Sequence, residues 1–304
     1  VSMKTAGIHH ITAIVKDPQH NIDFYENVLG LRLVKKTVNF DDPGVYHLYF
    51  GDYFGNPGTI MTFFPITQAV KGKAGTGQVD RIVFAVPNGS MPFWKDHLHK
   101  NNVEIDIYKE DLLFEDPEGV KLAVSEIDYP TEDRHASILP KQHNILGIKG
   151  AVLDSRSPGS TIDVLTKMGY QVQMKNDDVT LLVTESSSVG SFIWVKNESG
   201  KPAKSGAGTV HHIAFRTKNE AEQEKWQQYL ITLGLRVTPV MDRDYFKSVY
   251  FHEFGGILFE IATDPPGFTA DEALEELGNR LKLPAWLEPK RPMIEKLLPD
   301  ITRR

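Results

Sequence analysis

The sequence predicts an α+β fold of four βαβββ modules in two domains, finished by a C-terminal helical strap. Three observations carry that expectation. Gly208-Thr209-Val210-His211-His212-Ile213-Ala214-Phe215 is a near copy of Ala6-Gly7-Ile8-His9-His10-Ile11-Thr12-Ala13, so one strand design is used twice. Amphipathic segments closed by Gly30, Asn101-Asn102, Gly169 and Gly234 recur along the chain, each between apolar runs of strand composition. Polar linkers rich in Gly, Pro, Ser or Lys separate the repeats at Thr67 to Gly77, Asp128 to Asn144 and Glu198 to Gly208.

In the first module, residues 7–66, Ile8 to Val15 reads as a strand. Asp17-Pro18 then starts a helix with Ile22, Tyr25 and Leu29 on one face, and Gly30 stops it. Leu31 to Phe40, Val45 to Phe50 and, after the turn Gly55-Asn56-Pro57, Gly58 to Phe64 return as strands. The second module, residues 78–128, has a strand Gln78 to Val86, a helix Met91 to Lys100, and strands at Leu112-Leu113-Phe114 and Val120 to Ile127 joined by Asp116-Pro117-Glu118-Gly119. The third, residues 145–197, places a helix at Ser160 to Met168, then strands near Tyr170, at Thr180 to Thr184 and at Ser191 to Val195. The fourth, residues 209–264, opens on the second doublet, has a helix Glu220 to Leu233, and ends with strands Val249 to Phe254 and Ile257 to Thr263. The expected domains are therefore 1–135 and 136–268. In the tail, 269–304, Thr269 caps a helix through Leu281, and Pro284, Pro289, Pro292 and Pro299 break the remainder into turns. A strap over an exposed sheet edge is the expected role of this tail.

Composition removes several function classes. The 304 residues carry 34 Lys and Arg against 40 Asp and Glu, a net charge of -6 without long single-sign blocks, which argues against nucleic-acid or anionic-membrane partners. No apolar run is long enough to span a bilayer, and Val1-Ser2-Met3-Lys4 leads straight into a strand, so a cytoplasmic location is expected. The chain has no cysteine, so disulfides, thiolate catalysis and Cys-type zinc sites are excluded together. Any metal must be held by His and carboxylates.

Aligning the modules on their first strands puts His10 over His212, with Arg81 and Gly150 at the corresponding places of the second and third copies. Because neighbours on a regular strand point to opposite faces, one histidine of each doublet is expected to look inward. Aligning the last strands puts Glu260 over Thr62. A pseudo-twofold pairing of modules one and four then gathers His10, His212 and Glu260, with Thr62 at the fourth corner. Two imidazoles and one carboxylate suit non-haem Fe(II) and oxygen chemistry, while zinc hydrolases use a similar set. Glu260 lies in an otherwise apolar strand, where a buried charge needs a cation: either a metal or Arg243.

With His-His-Ile twice and the ending Gly-Gly-Ile-Leu-Phe-Glu-Ile-Ala-Thr-Asp-Pro-Pro-Gly-Phe at 255–268, the chain resembles the vicinal oxygen chelate (glyoxalase-like) superfamily, and within it the ring-cleaving dioxygenases of hydroquinones. The resemblance covers roughly residues 7–268. It implies an Fe(II) site at His10, His212 and Glu260, with Mn(II) or Zn(II) as substitutes in the isolated protein, and a small aromatic diol and O2 as reactants. It further implies that Tyr250, ten residues before the ligand Glu, and Arg243, seventeen before it, serve the reacting oxygens, with His9, His211 and Thr12 around the ligands. The expected activity is extradiol-type cleavage of a hydroquinone or catechol. A glyoxalase-type metal-dependent lyase or isomerase and a metal-free binding protein for an aromatic compound are the alternatives, and a homo-oligomer is left open. A Thr at the fourth corner favours oxygenation, because it leaves room for substrate and O2 together.

Overall fold

In this computed structural model, residues 3–128 and 137–302 are described. Module one opens with β1 (Ile8–Val15) and α1 (Pro18–Ile22), which widens into a π-helical turn at Asp23–Val28. The Asp17 carboxylate accepts from the N–H groups of Gln19 and His20, and Pro18 occupies a helical position that needs no N–H. β2 (Arg32–Asn39), β3 (Asp42–Gly51) and β4 (Ile60–Pro65) complete it. Module two comprises β5 (Gln78–Pro87), α2 (Met91–Lys100), β6 (Asp106–Tyr108), β7 (Asp111–Glu115) and β8 (Lys121–Ile127). Module three comprises β9 (Gly147–Asp154), α3 (Pro158–Lys167), β10 (Gln171–Lys175), β11 (Val179–Val183) and β12 (Phe192–Lys196). Module four comprises β13 (Thr209–Thr217), α4 (Glu220–Thr232), β14 (Met241–Asp242), β15 (Lys247–His252) and β16 (Leu258–Thr263). β6 and β14 have no counterpart in the expected elements. They are short, and β6 is exposed throughout, so neither carries an apolar alternation to read.

The strands form two eight-stranded sheets, ordered β14-β15-β16-β13-β1-β4-β3-β2 and β10-β11-β12-β9-β5-β8-β7-β6. Modules one and four thus share one sheet, and modules two and three the other. The boundary expected at 135/136 falls outside the described residues, and each sheet takes one module from either side of it. At the middle of the first sheet β1 and β13 run antiparallel, each with a parallel partner outside it, β4 and β16. That arrangement is a pseudo-twofold: Thr12 faces Thr62 as Ala214 faces Glu260, and one strand further out Tyr49 faces Thr62 as Tyr250 faces Glu260. One apolar core runs through both sheets and takes in Ile11, Phe215, Phe259, Ile82, Trp94, Trp226 and Leu230. Trp226 and Leu230 share a face of α4 at four-residue spacing, and burial of a side chain such as Leu230 contributes about 1.5–3 kcal/mol.

The tail corrects one expectation. No α-helix starts at Thr269; two 3-10 turns, Phe268–Ala270 and Leu274–Glu276, stand there instead. The reason is electrostatic, since Asp271 and Glu272, which would open that helix, both turn to the buried ammonium of Lys35. After a further 3-10 turn, Glu288–Lys290, comes α5 (Arg291–Leu297). The tail covers the free edge of β2, where the Lys282 N–H donates to the Lys36 carbonyl at 2.9 Å. Among the described residues no helix is long and apolar enough to cross a membrane.

The hairpin between β7 and β8 supplies a pH test of this fold. Asp116, 5% exposed, accepts from the N–H groups of Glu118 and Val120, both at 2.9 Å, and from the Tyr25 hydroxyl at 3.1 Å. Burial nevertheless raises its pKa from 3.8 to about 6. The folded chain therefore binds this proton more tightly than the unfolded one, and stability present at low pH is lost as pH rises through that interval, by about 3 kcal/mol in all. Asp116→Asn keeps an oxygen for the backbone donors and removes the charge. It is expected to raise the urea midpoint near neutral pH and to flatten the dependence between about pH 4 and 6; unchanged midpoints at neutral pH would refute this.

Candidate metal centre

β1, β13 and β16 lie side by side and bring His10, His212 and Glu260 to one point. His10 Nε2 is 3.3 Å from His212 Nε2, and Glu260 Oε2 is 3.3 Å from the former and 2.9 Å from the latter. All three side chains are buried, and no other group of three ligand-type residues converges among the described residues. Oε2 has no well-directed hydrogen bond despite two ring nitrogens at that range. Three buried lone-pair atoms crowded together without hydrogens properly between them fit a shared cation. Ligands about 2.1 Å from a common metal are about 3 Å apart on the face of an octahedron, so the donor set fits.

A device absent from the sequence argument orients both His10 and His212. Between the pairs Ile8/Phe215 and His10/Ala214, β1 takes one residue more than β13; between Thr12/His212 and Ala13/Val210 the excess is on β13. His9 and His211 are the extra residues, each a β-bulge. The expectation that doublet members point to opposite faces is therefore corrected: a bulge breaks the alternation and re-aims its side chain. His9 Nδ1 lies 2.9 Å from His10 Nδ1, and His211 Nδ1 lies 2.8 Å from His212 Nδ1. With the ligand lone pair on Nε2, each of His10 and His212 donates its Nδ1–H to its neighbour, which fixes tautomer and ring plane. The second sheet keeps the same bulges at Asp80 and Lys149, without the histidines.

Charge at the site is set by burial and by this neighbourhood. Burial alone would raise the pKa of Glu260, but His10 and His212 outweigh it and hold the carboxyl well below 4.5. Desolvation lowers His212 from 6.5, and lowers His9 well below it, so both imidazoles stay neutral and available as acceptors. Ser248 donates to Glu260 Oε1. Arg243, the alternative partner of Glu260, is engaged elsewhere: its Nε donates to the Tyr250 hydroxyl and its Nη2 to Asp41, each at 3.2 Å.

The remaining sequence candidates lie close by. Tyr250 sets its ring edge-on to His212, with centroids 5.7 Å apart, and carries the Arg243 guanidinium 5.4 Å above its face. His9 packs on Phe246, which also touches His10. His211 is exposed. Thr12 is bonded to Thr62 at 2.9 Å, and Thr62 occupies the register position equivalent to Glu260. Sequence reasoning missed Ser248, His47 and Tyr49. Carrying the repeat one strand further would have found them, since Ser248-Val249-Tyr250 lies over His47-Leu48-Tyr49.

Comparison with known proteins agrees with this geometry. The model of the Glyoxalase/Bleomycin resistance protein/Dioxygenase superfamily matches residues 7–124 and 165–270. The "Putative ring-cleaving dioxygenase MhqE" of Bacillus subtilis (strain 168) is 46% identical over 98% of this chain and 100% of its own length. A chlorohydroquinone/hydroquinone 1,2-dioxygenase of Sphingobium indicum is 31% identical over 94% of this chain and 93% of its own. Among solved structures, that of a "putative dioxygenase" from Bacillus subtilis subsp. subtilis str. 168 superposes with a TM-score of 0.96 at 45% identity, covering 99% of each chain.

Proposed function

The chain belongs to the Glyoxalase/Bleomycin resistance protein/Dioxygenase superfamily, and on that premise we propose that it is an Fe(II)-dependent ring-cleaving dioxygenase of hydroquinone-type diols, cleaving in the extradiol manner. The observation that carries this reading is the buried convergence of His10, His212 and Glu260 with Thr62, not a fourth ligand, at the equivalent corner. Iron at such a triad supplies a path for electrons from an electron-rich ring to O2. The protein's part is to bind the diol, orient it and place charge and protons.

Arg243 and Tyr250 are suited to that part. Burial raises the Tyr250 pKa, so the phenol keeps its proton, and its oxygen accepts from the Arg243 Nε–H. The guanidinium stays charged and, held against Tyr250, can offset negative charge on a bound diol. His9 and His211 hold the ligand rings, and the bulges that carry them make that support part of the sheet. Thr62 leaves the side of the triad it faces open to reactants.

The experiment is anaerobic loading with Fe(II), followed by O2 uptake on addition of substituted hydroquinones. One O2 per diol consumed is expected, whereas an iron-replete protein that takes up no O2 with any diol would overturn the reading. A glyoxalase-type isomerase would instead turn over without O2 on Ni(II) or Zn(II), and a metal-free binder would keep its ligand affinity in His212→Ala. Arg243→Met is expected to lower kcat/KM about 100-fold at unchanged iron content. Equal kcat/KM in wild type and variant would remove Arg243 from the proposed role.

A further inference from the structure

A polar pair on β3 lies on the other side of the triad from Tyr250. The Tyr49 hydroxyl is 2.9 Å from His47 Nδ1, His47 Nε2 is 2.8 Å from Thr62 Oγ1, and Thr62 Oγ1 is 2.9 Å from Thr12 Oγ1. Four side chains thus form one hydrogen-bonded chain ending two residues from His10. Its polarity follows from the buried end. Tyr49 is 2% exposed, and His47 is the hydrogen-bond partner of its phenol, the sole one among the described residues. A buried hydroxyl left without an acceptor is costly, so the phenol donates to Nδ1. Nδ1 must then be bare, and the ring proton sits on Nε2, which donates to Thr62. Thr62 and Thr12 then use one hydroxyl hydrogen between them, whichever of the two donates, and the pair carries one hydrogen more.

The pseudo-twofold supplies an independent argument for the same direction. Ser248 occupies on β15 the register position that His47 occupies on β3, two residues before a tyrosine that faces the corner residue. Ser248 donates into Glu260, a carboxylate that can only accept when ionised. In both halves the residue at this position donates into the corner: onto a ligand in module four, onto a hydroxyl pair in module one.

We propose that His47 is a positioning residue whose tautomer, fixed by Tyr49, turns the Thr62–Thr12 pair into a hydrogen-bond donor toward the substrate oxygen, so that the pocket selects an aromatic oxygen able to accept, the phenolate of a diol. The proposal rests on the reading of the site as one that takes a diol. Its first test does not depend on activity. In the full-length protein loaded with diamagnetic Zn(II), two-bond 1H–15N correlation spectra of the imidazoles are expected to show His47 protonated on Nε2 and bare on Nδ1, and Tyr49→Phe is expected to abolish that preference. A wild-type His47 protonated on Nδ1 overturns the proposal whatever the enzyme does.

The second test reads diol binding under anaerobic conditions and turnover with iron. Tyr49→Phe and His47→Ala are expected to weaken hydroquinone binding about tenfold and to raise KM more than they lower kcat, at unchanged metal content. His47→Gln, which keeps a donor within reach of Thr62, is expected to recover most of the affinity. Variants that bind hydroquinone as wild type does, in a protein that consumes O2, overturn the proposal and leave the dioxygenase reading standing. Wild-type protein that consumes no O2 overturns that reading, and the spectra still decide the tautomer.

Discussion

Glu260→Gln is expected to empty the metal site while leaving the fold intact. The amide has the shape of the carboxylate and can still accept from Ser248, so packing in the strand is preserved. What is lost is the one anionic donor among three, and with it the charge that offsets a divalent cation in a site where all three side chains are buried. A change to a group that merely supports a ligand costs about 10–100-fold in metal affinity, and loss of the anionic ligand itself is expected to exceed that range. The thermal signature is as informative as the metal content. Wild type is expected to gain stability with added Fe(II), by about 2.7 kcal/mol at a hundred times Kd, and the variant to gain none. A variant that retains iron at wild-type stoichiometry and melts at the same raised temperature would show that Oε2 is no ligand. The pH dependence has a definite sign. Metal binding needs neutral imidazoles, and desolvation favours the neutral form of His212, so wild type is expected to lose metal as pH falls and not as it rises toward neutrality.

Much of this site was legible because the chain states it twice. The doublets, the helix-closing residues and the apolar strand around Glu260 repeat at corresponding places, and a repeat constrains a charged residue in a way that a single occurrence cannot. The bulges at His9 and His211 were not legible. They arise from register between β1 and β13, strands about two hundred residues apart in sequence, and a strict two-residue period hides them. His47 was hidden for a related reason. In an alternating strand of Val, Tyr, His, Leu, Tyr and Phe it reads as one more half-buried residue, and only the pairing of β3 with β4 brings it to Thr62. The tail shows local signals overridden by a distant charge: Thr269 followed by Asp271 and Glu272 reads as a helix start, yet the acids are drawn to Lys35 on another strand.

Lys35→Met is the substitution expected to cost the fold most. Lys35 is fully buried on β2, ion-paired to Asp271 and Glu272 of the strap, and its ammonium lies 4.7 Å from the centre of the Tyr245 ring. Methionine fills a similar volume, so the loss is electrostatic: two carboxylates remain, that of Glu272 almost wholly buried, with no cation. Breaking one side of such a pair costs about 3–5 kcal/mol, and the urea midpoint is expected to fall accordingly. Replacing the acids as well, by Asp271→Asn and Glu272→Gln in the same chain, is expected to restore most of the stability, because neutral partners need no cation. A single variant as stable as wild type would mean that the acids turn to water when the lysine is gone. The effect also reaches the site. Asp271 accepts from the Tyr245 hydroxyl at 3.0 Å, and Tyr245 belongs to the turn of Arg243, in which Asp244 holds a left-handed φ of 64°. A residue other than glycine keeps that conformation only where its surroundings enforce it, here through the Asp242 carboxylate and the packing of Tyr245 on Phe268. With the strap released, Arg243 loses its fixed position before the triple of His10, His212 and Glu260 is disturbed. Lys35→Met is therefore expected to lose turnover under conditions where it is still folded and still binds iron, and an iron-loaded, fully active variant would separate the strap from the reaction.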